Sequence, residues 1–224
     1  MARGRGQRYL VNGLEFAGET GRLAWFGVSD GQPSRRTRLT SETFEDLSRL
    51  VRQLVRYRRA RTPDRHHPFY ALRPESWLES LLRRDVSALD DTLDGRYVYS
   101  QIPTWRGREH SLIDLLAMNR SGRMVVIEIK AAAEPELPMQ GLDYWLRIEQ
   151  ARKRGDFKRR RLFPGIELAD RSALLFLVAP VLCFHRSFSV VARCLSPEVE
   201  AYRIGVNGGW RGGLKVELKE RVNL

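Results

Sequence analysis

The rhythm of apolar positions changes several times along this chain, and each change marks an element. Between Leu10 and Val28 two short apolar segments flank Gly18-Glu19-Thr20-Gly21, the pattern of a β-hairpin. Polar residues 29–38 read as a loop. Phe44, Leu47, Leu50, Val51, Leu54 and Val55 then recur at helical spacing, so a helix capped by Thr40 or Ser41 is expected to run to about Arg59. Its other face, with Arg49, Arg52, Arg56, Arg58 and Arg59, reads as solvated. Residues 61–73 have the proline-rich composition of a linker, and His66 and His67 within it read as surface residues. The expected division is therefore an N-terminal part, 1–65, with a basic tail (residues 1–8), hairpin and helix, and a larger domain, 66–224.

The alternation beyond the linker is regular. A helix is expected from about Pro74 to Asp85, with Pro74 at its favoured first position. Strands follow near 97–102, 111–118 and 123–130, the last two joined by a turn at Asn119-Arg120-Ser121-Gly122. Then come a helix near 138–154, a buried strand near 173–179, a short helix near 188–194 and two strands near 201–206 and 214–218. This order predicts an α/β domain with helices flanking a mixed central sheet, α-β-β-β-α-β at its heart.

Composition narrows the function classes. A chain of 224 residues, 42% apolar, can bury a core without disulfides or structural metal. Cys183 and Cys194 match neither a zinc pattern nor a disulfide framework. The longest apolar run, Ala173–Phe184, is too short for a bilayer, and Met1–Arg8 lacks the apolar core of a signal peptide; a cytoplasmic protein with no membrane association is expected. The formal charge is +12, and only five of the 39 basic residues are lysine. A GC-rich genome explains arginine over lysine but not the sign of the imbalance, which favours a polyanionic partner.

The chemistry-bearing residues sit where packing alone would place apolar ones. Asp114 interrupts Ile113-Asp114-Leu115, and Glu128 and Lys130 close the run Val125-Val126-Ile127-Glu128-Ile129-Lys130. Strand side chains alternate, so Val126, Glu128 and Lys130 share a face. With suitable register Asp114 meets Glu128 from the neighbouring antiparallel strand. Two such carboxylates repel unless a cation lies between them. Oxygen donors without histidine or thiolate suit Mg²⁺ or Mn²⁺, with the Ile129 carbonyl as a further ligand. A cross-strand ion pair between Lys130 and Asp114 is the structural alternative.

Asp114, a spacer of thirteen residues and Glu128-Ile129-Lys130 resemble the D…(D/E)-x-K signature of the PD-(D/E)XK nuclease superfamily. Gln140-Gly141-Leu142-Asp143-Tyr144 is similar to the Gln-x-x-x-Tyr motif of its RecB-type and NucS-like branch, and Glu75-Ser76-Trp77-Leu78-Glu79 to the acidic first helix of those enzymes. The likeness covers about residues 74–180; the family's proline before the aspartate is absent. It implies a restriction-endonuclease-like fold and a nuclease that hydrolyses DNA phosphodiesters by in-line attack of a metal-activated water. Asp114, Glu128 and either Glu75 or Glu79 would hold the metal, Lys130 would be catalytic, and Gln140 and Tyr144 would support it. Arg147, Arg152, Lys153 and Arg154 would contact nucleic acid, and a homodimer is compatible with the pattern. The competing reading is a non-catalytic nucleic-acid-binding or protein-interaction module on a nuclease-like fold.

Overall fold

The structure, a computed structural model, describes residues 6–28, 36–103 and 112–223. Most of the expected basic tail, much of the polar loop and the start of the strand expected at 111 lie outside them. Packing divides the chain into two units, Met1–Ser80 and Leu81–Leu224, so the division falls later than the proline-rich linker.

In the first unit β1 (Gln7–Val11), β2 (Leu14–Thr20), β3 (Leu23–Phe26) and β4 (Thr37–Arg38) form an antiparallel sheet in sequence order. The expected hairpin is β2–β3. The residues expected to end the basic tail, Gln7 and Arg8, instead open β1. The cause is Asn12-Gly13, a two-residue turn with φ of 44° and 74°, whose positive-φ geometry matches strand twist. α1 (Phe44–Tyr57) starts after Thr43 rather than Thr40 or Ser41, because the Thr43 hydroxyl accepts the Thr40 amide and donates to the Arg38 carbonyl.

Two expectations for this region are overturned. Arg58 is not on a solvated stripe but buried, 1% exposed. Its guanidinium donates to the carbonyls of Val11, Asn12, Phe69 and Leu72 and lies over the Trp77 ring at 4.8 Å. Five donors in a rigid fork can satisfy several loop carbonyls at once. His67 is half-buried, stacked on Tyr57 with ring centroids 3.7 Å apart, and its Nδ1 accepts the Phe69 amide at the start of α2 (Pro68–Ala71). These contacts bind residues 66–77 to the N-terminal part, which is why the linker is not the boundary.

The division falls inside α3 (Pro74–Arg84). Beyond it β5 (Leu93–Pro103), β6 (Leu112–Asn119) and β7 (Met124–Ile129) form an antiparallel meander. α4 (Leu137–Lys153) and the short α5 (Asp156–Arg159) lead to β8 (Leu174–Pro180), parallel to β7. α6 (Phe188–Ala192) precedes β9 (Ala201–Val206), parallel to β8, and β10 (Val216–Arg221) closes the edge antiparallel. The sheet order is β10-β9-β8-β7-β6-β5, a mixed six-stranded α/β arrangement. The central strands β7 and β8 are buried along their whole length, as parallel strands covered on both faces must be. Leu116, Val126, Leu175 and Leu177 join Tyr144, Trp145 and Ile148 of α4 in one core, and the Trp145 indole donates to the Ala173 carbonyl at 2.8 Å.

Candidate functional site

The ladder between β6 and β7 ends at Leu115↔Ile127, and the next step in that register sets Asp114 opposite Glu128. Directly opposed residues share a face, so this register sets Asp114 and Glu128 on one face of the sheet. Asp114 does more than face its neighbour. Its Oδ2 accepts the Ile129 amide at 2.9 Å, so a side chain takes over where backbone pairing stops. That bond holds the carboxylate against β7 and leaves the Ile129 carbonyl on the same short stretch.

Glu128 is 1% exposed, with Leu177 of β8 as its parallel neighbour. Lys130 leaves β7 with its amide donating to the Val178 carbonyl. Its ammonium lies 3.8 Å from Glu128 Oε1 and 3.3 Å from Glu134 Oε2. The sequence signals the Glu134 pair only through its i, i+4 spacing from Lys130 in a proline-bearing loop.

α4 covers this face of the sheet. Gly141 makes that possible: a Cβ there would stand 2.5 Å from Leu177 Cδ2 and 3.2 Å from Leu175 Cδ1. Close approach at Gly141 sets Gln140 and Tyr144 on either side of the contact, and the Gln140 amide donates to the Tyr144 hydroxyl at 3.3 Å. The Tyr144 ring lies in the core, 5% exposed. Burial pushes its pKa up and the Gln140 bond opposes that. The negative charges of Glu128 and Asp114 raise it further against the lowering effect of Lys130. The net direction is upward, so the phenol keeps its proton and can donate. The same couplings place the Tyr144 hydroxyl in the electrostatic field of all three strand residues.

The basic residues expected on the α4 side are more committed than their spacing suggested. Arg147 pairs with Asp143 at 2.8 Å. Arg152 is held by Glu149 at 3.0 Å and Asp170 at 3.2 Å, while buried Glu149 also accepts the Ala173 amide at 2.8 Å. Arg152 is thus a tie between α4 and the loop entering β8. Arg154 shares Asp156 with Arg159, and Lys153 is exposed. Glu75 and Glu79, both half-buried, stand on the part of α3 that belongs to the first unit.

Comparison with protein-family models, with curated proteins and with solved structures finds no match. Among the described residues no three His, Cys, Asp or Glu side chains gather as a metal-binding group, and no helix is long and apolar enough to cross a membrane. The donor chemistry that is present, two opposed carboxylates and an adjacent backbone carbonyl, fits a hard divalent cation that retains water ligands. It does not fit a closed protein cage.

Proposed function

We propose that this chain is a divalent-metal-dependent nuclease of the PD-(D/E)XK superfamily, with a restriction-endonuclease-like core formed by α3, β5–β7, α4 and β8. The observation that carries the reading is the register that opposes Asp114 and Glu128, with Lys130 two residues on and Tyr144 coupled to all three. Asp114, Glu128 and the Ile129 carbonyl would hold Mg²⁺ or Mn²⁺. When bound, the cation supplies Lewis acidity and a more acidic water.

The chain's own groups have separable roles. Lys130 stabilises the charge that develops on the scissile phosphate, and Glu134 holds its ammonium before substrate arrives. Tyr144, kept protonated, donates to a phosphate oxygen, and Gln140 orients it. Asp114 is fixed by the Ile129 amide and needs no rearrangement to face Glu128. The +12 charge favours a polyanionic substrate, taken here as DNA.

The test is incubation of the full chain with linear, circular and single-stranded DNA plus Mg²⁺ or Mn²⁺, beside Lys130→Ala and Asp114→Ala. Metal-dependent cleavage lost in both variants is expected. Absence of cleavage, with DNA binding that survives both substitutions, would replace the enzyme with a non-catalytic nucleic-acid-binding module.

A further inference from the structure

The first unit carries a second constellation that the proposed chemistry does not use. Residues 1–80 contain fifteen arginines, no lysine and nine acids. Cross-strand pairing runs Arg8↔Gly18↔Trp25↔Arg38 across all four strands, so these residues form one row on one face of the sheet. Gly18 is small for a reason: a Cβ there would stand 2.5 Å from Trp25 Cζ2, so the indole lies against the β2 backbone. The guanidinium of Arg36 covers the indole at 3.9 Å from its centroid and is tied to Glu15 at 3.1 Å. Arg8 reaches the same Glu15 at 3.3 Å, so one carboxylate serves two guanidinium groups. Arg36 keeps 45% of its side chain exposed, and Arg38 is exposed. A cleft of about 480 Å³ opens beside Arg8, Trp25 and Arg36.

We infer that this row is a binding platform for single-stranded nucleic acid, in which an unstacked base lies on the outer plane of the Trp25–Arg36 stack and the flanking Arg8 and Arg38 take phosphates. A protein ligand would supply carboxylates and some aromatic rings, but not a planar face beside an anion at every repeat of its chain. A duplex keeps its bases stacked and out of reach, whereas single strands offer both a π-face and a phosphate at every step. Glu15 fixes the orientation of Arg36 without neutralising the row. The inference rests on nucleic acid being this protein's polymer, as in the proposed function, but it concerns binding and not cleavage.

The test uses the full chain in EDTA and measures anisotropy of a labelled oligothymidylate of about twelve nucleotides, an abasic oligomer of equal length and an oligoglutamate of equal charge. Arg36→Ala, a surface substitution, is expected to weaken oligothymidylate binding roughly tenfold and abasic binding much less, because the lost term is stacking. Arg38→Ala is expected to lower the slope of log affinity against log salt by about 0.7, one phosphate contact on a single strand. Equal losses for the normal and abasic oligomers would overturn the platform, as would oligoglutamate binding as tightly as oligothymidylate, or no loss with either variant. A parallel cleavage assay with Mg²⁺ keeps the two readings apart. Cleavage with variant-insensitive binding refutes the platform alone, whereas base-dependent binding without cleavage refutes the nuclease alone.

Discussion

Asp114 offers the sharpest test, because it anchors the Ile129 amide and, under the proposed function, would also hold a cation. Its Oδ2 accepts the Ile129 amide at 2.9 Å where the β6–β7 ladder ends. Asp114→Asn keeps an acceptor for that amide. It exchanges a charge-assisted bond for a neutral one, a loss of about 1 kcal/mol, and relieves repulsion from Glu128, which offsets part of that loss. The metal-free protein should therefore melt within about 2–4 °C of wild type. Asp114→Ala removes the acceptor and leaves the Ile129 amide unsatisfied next to a buried strand, at a cost of about 1–3 kcal/mol, or a melting point roughly 4–8 °C lower. Mg²⁺ at about a hundredfold its dissociation constant should stabilise wild type by about 2.7 kcal/mol and neither variant. Thermal melts with and without Mg²⁺, beside a cleavage assay, read all three quantities. Asp114→Asn that keeps metal-dependent cleavage would refute the metal role. Asn and Ala variants that melt together without metal would refute the structural one.

Four further outcomes are expected. Gly141→Ala should lower the melting point despite a better helix propensity, because its Cβ enters Leu177 and Leu175, which are fully buried; a higher melting point would refute the close-packing account. Glu149→Ala should cost about 1–3 kcal/mol in urea unfolding, chiefly by leaving the buried Ala173 amide unsatisfied while Arg152 keeps Asp170, whereas Asp170→Ala, at a fully exposed partner, should change little. Burial alone would raise the Glu200 carboxyl, but hydrogen bonds from Arg123 and Tyr202 hold it below the usual carboxylate range. Its stabilising contribution is complete above the unfolded-state pKa and disappears as pH falls through the folded one, so Glu200→Gln should flatten the acid limb of a pH–stability curve and leave its neutral-to-basic shape unchanged. Glu128→Met should abolish cleavage while raising the metal-free melting point by about 2–4 °C, since an apolar side chain suits that strand better than a carboxylate; a fall of similar size would show the charge to be structurally required.

How much of this was legible in the sequence depended on where each partner lies. The β6–β7 turn was readable because Asn119 satisfies it locally, its Oδ1 accepting the Ser121 and Arg123 amides. The opposition of Asp114 and Glu128 was readable because that short turn leaves little freedom in register. For the opposite reason Arg58 was not readable. It falls at a spacing shared with exposed arginines, and what removes it from solvent, the carbonyls at Phe69 and Leu72, is supplied by another part of the chain. Periodicity reports which face of a helix is apolar, not which polar residue finds distant partners. Gly141 was hidden because a glycine within a helix reads only as a weak point until the leucines of β8 lie beneath it.

The same distinction bears on why the acids matter. Met124, Val125, Val126, Ile127 and Ile129 follow the rule for a buried central strand, and Glu128 breaks it within that run at 1% exposure. A local rule broken at one position, with every neighbour obeying it, is what a functional constraint leaves behind when stability would favour a different residue. Three such departures meet here. Glu128 and Asp114 place like charges opposite one another, Lys130 is drawn to their edge, and Tyr144 keeps a polar hydroxyl inside an apolar core beside all three. Arg152 and Glu149, by contrast, compensate each other fully within the apoprotein and need nothing further. The strand-end acids face each other with one lysine at their edge, and under the proposed function a divalent cation would complete their balance.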